Sequence, residues 1–252
     1  QKTYLEDIFV IPDIWEGFAR VDFCIANRDP GVEKVTIRCK ILEKPAGKVV
    51  ESVNQEYPVG EGNLSIDDFV LFMDEMKLWS PEAPNLYDFE VSLFAPGGRL
   101  LDSRVITTGL KEFKVVGKEF YLNGNPYFLR GYGDDIIYPQ TIMPEAARKE
   151  GYTASILRAK EFGFNAARHH SHFPLSAYLD EADRLGLLVQ PELAMSNECY
   201  RGINAESEAL FKSEWINLIL KNRNHPCIMA WCGGNEQEWG YPFENELYDI
   251  AK

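Results

Sequence analysis

The stretch of sequence that decides the fold is Cys227-Ile228-Met229-Ala230-Trp231-Cys232-Gly233-Gly234-Asn235-Glu236. An apolar run that ends in two glycines and an Asn-Glu pair is typical of a buried parallel strand whose carboxyl end delivers polar side chains into a cleft. A carboxyl group placed there is partly shielded from water, so it can hold a proton near neutral pH and donate it to a leaving group. Glu236 is therefore the first candidate for chemistry. The alternative is a turn or N-cap glutamate before the next helix, since one short motif is weak by itself.

Three further apolar runs precede this stretch, and a helical pattern separates each run from the next. The runs end at Leu129-Arg130-Gly131, Phe164-Asn165-Ala166-Ala167-Arg168 and Leu187-Leu188-Val189-Gln190-Pro191-Glu192. Between them, apolar residues at helical spacing form the sets Tyr152, Ile156, Ala159, then Leu175, Tyr178, Leu179, Ala182, Leu185, then Phe211, Trp215, Leu218, Ile219. Strands that alternate with helices predict a parallel sheet with crossover helices. If residues 111–252 form an eight-stranded α/β barrel, they supply about half of it.

The first half of the chain has instead the two-residue period of half-buried strands. In one strand the apolar positions are Val35, Ile37, Cys39 and Ile41, with polar residues between them. Turn sequences such as Pro96-Gly97-Gly98 separate the strands. This pattern predicts that residues 1–110 form an antiparallel β-sandwich, which serves as a scaffold. Just after that boundary, the Asn123-Gly124 pair predicts a tight hairpin turn, because both residues accept a positive φ.

The composition excludes several classes of partner. The chain has 252 residues, a hydrophobic content of 45% and a formal net charge of −13. Nucleic acid and anionic membrane surfaces both require a basic face, so neither is expected as a partner. No stretch approaches the roughly 20 apolar residues of a membrane span. The cysteines are scattered without a CxxC pair, so no disulfide framework or zinc site is signalled. No cofactor is expected, although a divalent cation is compatible with the sequence.

Seven short motifs resemble one family of glycosidases in their order and approximate spacing. They are Leu78-Trp79-Ser80-Pro81-Glu82-Ala83-Pro84-Asn85-Leu86-Tyr87, Tyr121-Leu122-Asn123-Gly124-Asn125-Pro126, Leu129-Arg130-Gly131, Asn165-Ala166-Ala167-Arg168, Ser171-His172-Phe173-Pro174, Arg223-Asn224-His225-Pro226 and Gly234-Asn235-Glu236. Over nearly its whole length the chain thus resembles glycoside hydrolase family 2, which contains β-galactosidases, β-glucuronidases and β-mannosidases. The resemblance implies an immunoglobulin-like β-sandwich followed by a TIM barrel. It also implies that Glu236 is the general acid/base and that Asn235 hydrogen-bonds the sugar 2-hydroxyl.

The sequence departs from the family pattern at three places. After the Leu129-Arg130-Gly131 motif, many members continue with a valine, an asparagine and a His-Glu pair. Here Tyr132-Gly133-Asp134-Asp135 follows, which leaves the usual sugar and metal contacts of that loop open. Two histidines stand between Arg168 and Ser171 where the common pattern has one residue, which leaves the register of His172 open by one position. The family's catalytic nucleophile, a glutamate near the end of a later barrel strand, is expected beyond Lys252.

Side chains at the other strand ends are candidates for substrate contact. The five donors of Arg168 suit a carboxylate, either a catalytic one or that of a uronic acid. Glu192 can serve a sugar hydroxyl, or it can be a satisfied structural carboxylate. Asp134 and Asp135 are adjacent and point to opposite sides of an extended loop. At most one of them therefore faces a ligand, and Asp135 is the candidate.

A cluster of histidines and one aromatic residue complete the candidate set. His169, His170 and His172 lie on one short loop and suggest a metal site. Clustered histidines without a partner on the third strand are more often hydrogen-bonders, so no metal is assigned. His172 is expected to hydrogen-bond the substrate. Trp239 either stacks on a sugar face or packs in the core.

The sequence therefore predicts a fragment of a retaining β-glycosidase that acts on a carbohydrate, carries the general acid/base and lacks the nucleophile. A homo-oligomer is compatible with it. One alternative is a non-catalytic carbohydrate-binding or scaffold protein with the same fold, and another is a metal-dependent hydrolase that uses the histidine cluster. No signal peptide opens the chain, but Gln1 is compatible with the removal of one. The compartment is open, with a secreted or periplasmic location slightly favoured over a cytoplasmic one.

Overall fold

The structure is a computed structural model of the chain, and it describes residues 2–135, 149–196, 203–236 and 242–252. Contacts between Cα atoms divide the chain into two compact units. The sandwich unit comprises Gln1–Lys114 and Tyr121–Asn125, and the barrel unit comprises Val115–Phe120 and Pro126–Lys252. The predicted architecture, an immunoglobulin-like β-sandwich followed by part of a TIM barrel, is confirmed.

Seven antiparallel strands build the sandwich unit. They are β1 (Thr3–Asp13), β2 (Phe18–Asn27), β3 (Lys34–Glu43), β4 (Lys48–Pro58), β5 (Gly62–Phe72), β6 (Tyr87–Phe94) and β7 (Leu100–Thr108). One sheet has the order β1-β2-β5 and the other the order β4-β3-β6-β7. All neighbouring strands in both sheets pair antiparallel. The two-residue period of the sequence places one face of each sheet in a shared core.

The core of the sandwich unit contains the apolar positions that the alternation singles out. On β3 the side chains of Val35, Ile37, Cys39 and Ile41 are buried. Each large side chain of this kind stabilises the folded state by about 1.5–3 kcal/mol through removal of its apolar surface from water. Trp79 is also fully buried, and Gly109 lies directly against its ring.

A small three-stranded sheet follows, with β8 (Phe113–Val116), β9 (Glu119–Leu122) and β10 (Asn125–Pro126) in the order β10-β9-β8. Asn123 and Gly124 join the last two strands with φ angles of 51° and 79°. The predicted turn with two positive φ angles is therefore confirmed. A side chain at Gly124 would place its Cβ 2.4 Å from the Trp15 ring, so this position also requires glycine for space.

The barrel unit contains three parallel strands and four helices among the described residues. In chain order they are β11 (Gly131–Asp134), α1 (Lys149–Glu161), β12 (Ala166–His169), α2 (Ser176–Leu185), β13 (Leu188–Pro191), α3 (Ala205–Asn222) and α4 (Pro242–Ala251). The strands form a sheet in the order β11-β12-β13, with parallel pairing throughout.

The fourth apolar run, 227–236, lies beside β13 without forming a continuous strand. Its residues pair in parallel at three isolated bridges, Val189 with Ile228, Glu192 with Cys232 and Ser196 with Asn235. Backbone hydrogen bonds continue along the same line, including Leu193 N–H to Cys232 O at 2.9 Å and Asn235 N–H to Met195 O at 2.8 Å. The fourth segment therefore extends the parallel arrangement, as the sequence predicts.

Of the twelve residues in the predicted apolar stripes, six are buried and five are partly buried. Ile156 on α1 and Leu179 on α2 are fully buried, and α2 ends at Gly186, which adopts a left-handed φ of 75°. Leu175 is a correction, because it lies at the N-cap position of α2 and is half exposed rather than part of the buried stripe. On α3 the buried stripe centres on Trp215, which packs in a small core with α4.

Two further observations concern the described parts of the chain. Cys24, Cys39, Cys227 and Cys232 are free thiols, and Cys199 lies outside the described residues. In the described ranges, no helix combines the length and the apolar character that a membrane crossing requires.

Candidate active site

The carboxyl ends of the parallel segments bring the predicted polar residues to one edge of the sheet. Arg168 lies on β12, one residue before its end, and Glu192 directly follows β13. Asn235 and Glu236 close the fourth segment. Because parallel strands point the same way, these residues lie at the edge where α/β barrels carry their active sites.

Glu192 is a fully buried carboxylate that is held by protein donors. Arg168 donates from Nε to Oε1, and the backbone N–H of Ser171 donates to Oε2 at 2.7 Å. His170 lies further away, with Nδ1 3.8 Å from Oε2. The hydrogen bond to Glu192 raises the pKa of Arg168 above its usual range. Both oxygens thus have a partner, as the burial of a charged group requires.

Arg168 also contacts Asn235, so that one side chain links three neighbouring segments. Its second guanidinium nitrogen donates to the Asn235 side-chain oxygen at 2.8 Å. The fork geometry of arginine allows the Glu192 and Asn235 hydrogen bonds at the same time. Because the amide oxygen accepts from Arg168, the Asn235 amide nitrogen is the group that can donate elsewhere.

Glu236 and Ser171 both adopt backbone angles that are unfavourable for their residue types. Glu236 has a φ of 50° and Ser171 a φ of 53°. Asn123 in the hairpin turn is the other non-glycine residue with positive φ among those described. A left-handed backbone costs such residues roughly 1 kcal/mol or more, and it persists where the surroundings enforce it. The two strained residues outside the turn thus lie at the carboxyl ends of the parallel segments. Glu236 is exposed, which corrects the prediction that its position at the strand end shields it partly from water.

The histidines at the end of β12 and directly after it separate into two groups. His169 Nδ1 lies 3.0 Å from His172 Nε2, and His172 Nδ1 lies 3.1 Å from the His170 carbonyl oxygen. The His169 ring is buried edge-on against Tyr178, with 4.6 Å between ring centroids. Burial lowers the pKa of His169 to about 4, so its ring is neutral at ordinary pH. His170 instead faces Glu192.

The two adjacent aspartates differ in their surroundings. Asp134 on β11 is half-buried, and its Oδ2 lies 3.9 Å from His169 Nδ1. Asp135 is exposed, and its charge helps to raise the pKa of Arg168. Trp239 lies outside the described residues, so its predicted contact with a sugar stays a prediction.

Two groups of side chains in the described residues have the composition of a metal site. Asp134, His169 and His172 offer ligand atoms that lie within 4.8 Å of one another, and so do Asp183, His225 and Cys227. The second group is internally hydrogen-bonded, with His225 Nδ1 2.6 Å from Asp183 Oδ2 and the Cys227 N–H donating to Asp183 Oδ1 at 2.8 Å.

The structure therefore brings Arg168, Glu192 and Asn235 together and places His172 among the other histidines. Sequence reasoning missed the backbone N–H of Ser171 as a partner of Glu192, and no side-chain pattern signals it. It also missed the pairing of buried Asp183 with partly buried His225. The His225 half of that pair lies in a quoted motif, but its partner lies 42 residues away on α2.

Models of one family match nearly the whole chain. The model of glycosyl hydrolases family 2 matches residues 3–111, and the model of the TIM barrel domain of that family matches residues 113–252. A β-galactosidase of Thermoanaerobacter pseudethanolicus is 30% identical over 257 residues, which cover 99% of this chain and 33% of the relative. The chain thus spans about a third of the length of this curated relative.

Solved structures resemble the chain over its full length. A glycosyl hydrolase family 2 member of Bacteroides cellulosilyticus has a TM-score of 0.85 at 22% identity and covers 100% of this chain and 34% of its own. A β-D-mannosidase of Dictyoglomus thermophilum has a TM-score of 0.84 at 22% identity and covers 99% of this chain and 33% of its own. At this identity the likeness shows the fold. Together with the family models, it confirms the resemblance drawn from the seven motifs: the chain belongs to glycosyl hydrolase family 2.

Proposed function

We propose that this chain is part of a retaining β-glycosidase in which Glu236 is the general acid/base. Membership of the family supports a glycosidase, and the relatives described above are a β-galactosidase and a β-mannosidase. These names differ in the sugar, so the sugar and the linkage of this protein remain open. The reaction class, hydrolysis of an O-glycosidic bond with a β configuration, is what they share.

The observation that carries the proposal is the double hydrogen bond of Arg168. It joins buried Glu192 to Asn235, the residue that directly precedes Glu236. Arg168 thereby fixes the Asn235 side chain with its amide nitrogen available as a donor. In the proposed site that donor binds the sugar 2-hydroxyl, a contact that strengthens as the transition state forms. Arg168 is thus a positioning residue, and it is not required to bind a uronic acid.

Retaining glycosidases hydrolyse the glycosidic bond with two carboxyl groups about 5 to 5.5 Å apart, and the configuration at the anomeric carbon is retained. Glu236 protonates the leaving oxygen in the first step and activates water in the second. The second group attacks the anomeric carbon. Glu192 is unsuited to that role because it is buried and both its oxygens are engaged. We therefore infer that Glu192 positions Arg168 and that the nucleophile is a glutamate on a later barrel strand, beyond Lys252.

Three other predicted contacts are kept in the proposal as substrate contacts. His172 and Asp135 lie on loops at the same edge of the sheet, and Asp135 is exposed. Trp239, three residues after Glu236 in the sequence, is proposed to stack on the sugar. Of these residues, His172 has both ring nitrogens near protein atoms, so its contact with substrate requires rearrangement of the His169–His172 pair.

The test is Glu236→Gln in the whole protein, with Glu161→Gln as control. Glutamine preserves size but cannot donate a proton, so aryl β-glycosides with poor leaving groups should lose roughly 10²- to 10⁴-fold in kcat/KM. Activated aryl β-glycosides need little protonation and should lose much less. Glu161 ends α1 and is exposed, so its replacement should change neither rate. Equal losses on both kinds of substrate would remove Glu236 from the acid/base role, and an inactive wild-type protein would favour a non-catalytic scaffold.

A further inference from the structure

The three histidines at the carboxyl end of β12 differ in whether a ring nitrogen is available to a ligand. The His169 ring is buried, and its Nδ1 lies 3.0 Å from His172 Nε2. His172 Nδ1 lies 3.1 Å from the His170 carbonyl oxygen, so both ring nitrogens of His172 have protein partners. The His170 side chain is 39% exposed, and its Nε2 has no hydrogen-bond partner among the residues that the structure describes. His170 is thus the one of these three that combines an exposed ring with an unpartnered nitrogen.

The backbone around His170 is held in place by hydrogen bonds on both sides. The His170 N–H donates to the Asp134 carbonyl oxygen at 2.9 Å, and the His170 carbonyl oxygen accepts from His172 Nδ1. The next residue, Ser171, has a φ of 53° and donates its N–H to Glu192 at 2.7 Å. The side chain of His170 therefore projects from a fixed backbone, which lowers the entropy cost of using it to bind a ligand.

The His170 ring lies beside the polar cluster of the candidate site but is not needed to complete it. Its Nδ1 lies 3.8 Å from Glu192 Oε2, beyond hydrogen-bond distance, and 3.5 Å from Ser171 Oγ. Both Glu192 oxygens already accept hydrogen bonds, one from Arg168 and one from the Ser171 N–H. Arg168 in turn donates to Asn235. His170 is therefore next to the group that positions Asn235, while its own hydrogen-bonding capacity is still available.

The surroundings of the ring determine which of its nitrogens can accept a hydrogen bond. Nδ1 faces the negatively charged Glu192 carboxylate, which favours the proton of the neutral ring on Nδ1. Nε2 then carries the lone pair and can accept a hydrogen bond. A sugar offers several hydroxyl groups that can donate one.

We propose that His170 is a specificity-determining residue whose Nε2 accepts a hydrogen bond from a sugar hydroxyl other than the 2-hydroxyl. The inference rests on the proposed function, because it places His170 on the same sugar that Asn235 contacts. It adds a contact at the place where this sequence has two residues between Arg168 and Ser171 and the family pattern has one. A site that binds a hydroxyl in this way discriminates against an analogue that lacks it, since the polar group of the site is then left unpaired.

The experiment measures binding of an aryl β-glycoside with a poor leaving group to the whole protein that carries Glu236→Gln, so that hydrolysis does not interfere. The glycoside is selected from a panel by its affinity, and calorimetry gives Kd. Adding His170→Ala should raise Kd about 3- to 10-fold, the usual effect of one lost hydrogen bond. His170→Gln, whose amide oxygen reaches the position of Nε2, should recover most of the affinity, whereas the shorter His170→Asn should not. Glu161→Gln on α1 is the neutral control, and near-ultraviolet circular dichroism shows that each variant has folded.

Analogues of the glycoside that each lack one hydroxyl separate a substrate contact from a structural role. For one analogue, other than the 2-deoxy analogue, His170→Ala should leave Kd unchanged, because the partner of Nε2 is already missing. An equal increase in Kd for every analogue would show that His170 only supports Glu192, and that result would overturn the proposal. Unchanged binding of the complete glycoside by folded His170→Ala, or no glycoside bound by the folded protein, would overturn it as well. Failure of the proposed function is visible separately, as continued hydrolysis of the poor-leaving-group glycoside by Glu236→Gln.

Discussion

Replacement of Arg168 by alanine should separate the positioning role of this side chain from its contribution to stability. Arg168 has a 45% exposed side chain and pairs with Glu192, whose side chain is 0% exposed. Loss of one partner costs about 3–5 kcal/mol for a fully buried pair and 0–1 kcal/mol for an exposed pair. A pair with one buried and one half-exposed member lies between these limits. We therefore expect a loss of about 2 kcal/mol in the free energy of unfolding.

The barrel unit offers a matched control in Arg184. Its side chain is 48% exposed, and it pairs with Glu181, whose side chain is 3% exposed. Arg184 donates to both Glu181 oxygens, at 3.1 and 2.6 Å, but has no contact with Asn235 among those observed. Arg184→Ala should therefore destabilise the protein by a similar amount, about 2 kcal/mol, without disturbing the proposed site.

Activity should distinguish the two variants. Arg168→Ala releases the Asn235 side chain, and a displacement of about 1 Å at a catalytic contact can cost roughly 100-fold in rate. Because the 2-hydroxyl contact strengthens in the transition state, kcat should fall more than KM rises. The assay is steady-state hydrolysis of an aryl β-glycoside by the whole protein, with unfolding followed by denaturant titration. Equal losses of kcat in Arg168→Ala and Arg184→Ala would refute the positioning argument.

Three further predictions concern the units and their packing. Segment 1–110 alone should show a cooperative thermal transition, since its strands bury one shared face, and a molten product would contradict the predicted boundary. Chain 1–252 should show no turnover of aryl β-glycosides and should self-associate in light scattering, because in the proposed enzyme later barrel strands cover its apolar surface and strand edges; turnover that Glu236→Gln abolishes would show that the site is already complete. Gly109→Ala should lower the free energy of unfolding by about 1–3 kcal/mol, because the new Cβ would lie 2.6 Å from the Trp79 Cβ. An unchanged midpoint of urea unfolding would show that Trp79 can move to accommodate the methyl group.

The sequence predicts the sandwich well because the period of two is a local property. The alternation on β3 places Val35 and Ile41 in the core whichever strands flank them. The turn at Asn123-Gly124 is equally local, since it depends only on residues that accept positive φ. The fourth barrel segment is the less regular case. Its apolar run predicts a continuous strand, whereas the structure shows isolated bridges to β13 and its continuation.

For the candidate site, the sequence predicts only which residues lie at the ends of strands, and not how their side chains contact one another. That Arg168 and Glu192 end neighbouring strands follows from the βα alternation. The alternation does not predict that the Arg168 guanidinium binds both Glu192 and Asn235, because these contacts depend on side-chain geometry across three segments. The proximity of Asp134 to His169 and His172 likewise depends on how separate segments pack together. The parallel register pairs Asp134 with His169, and no sequence pattern reveals that pairing.

The Arg168 link has a consequence for the order of events in folding. Its two partners lie 24 and 67 residues further along the chain. Contacts of such sequence separation form only after the intervening loops have closed, and they make the search for the native topology slow. The polar cluster is therefore completed late, once both crossover helices have docked. A protease that cleaves chains in which these helices have not docked would therefore remove molecules that lack the Arg168 link. In the molecules that remain, the segments that carry Arg168, Glu192 and Asn235 are already packed together.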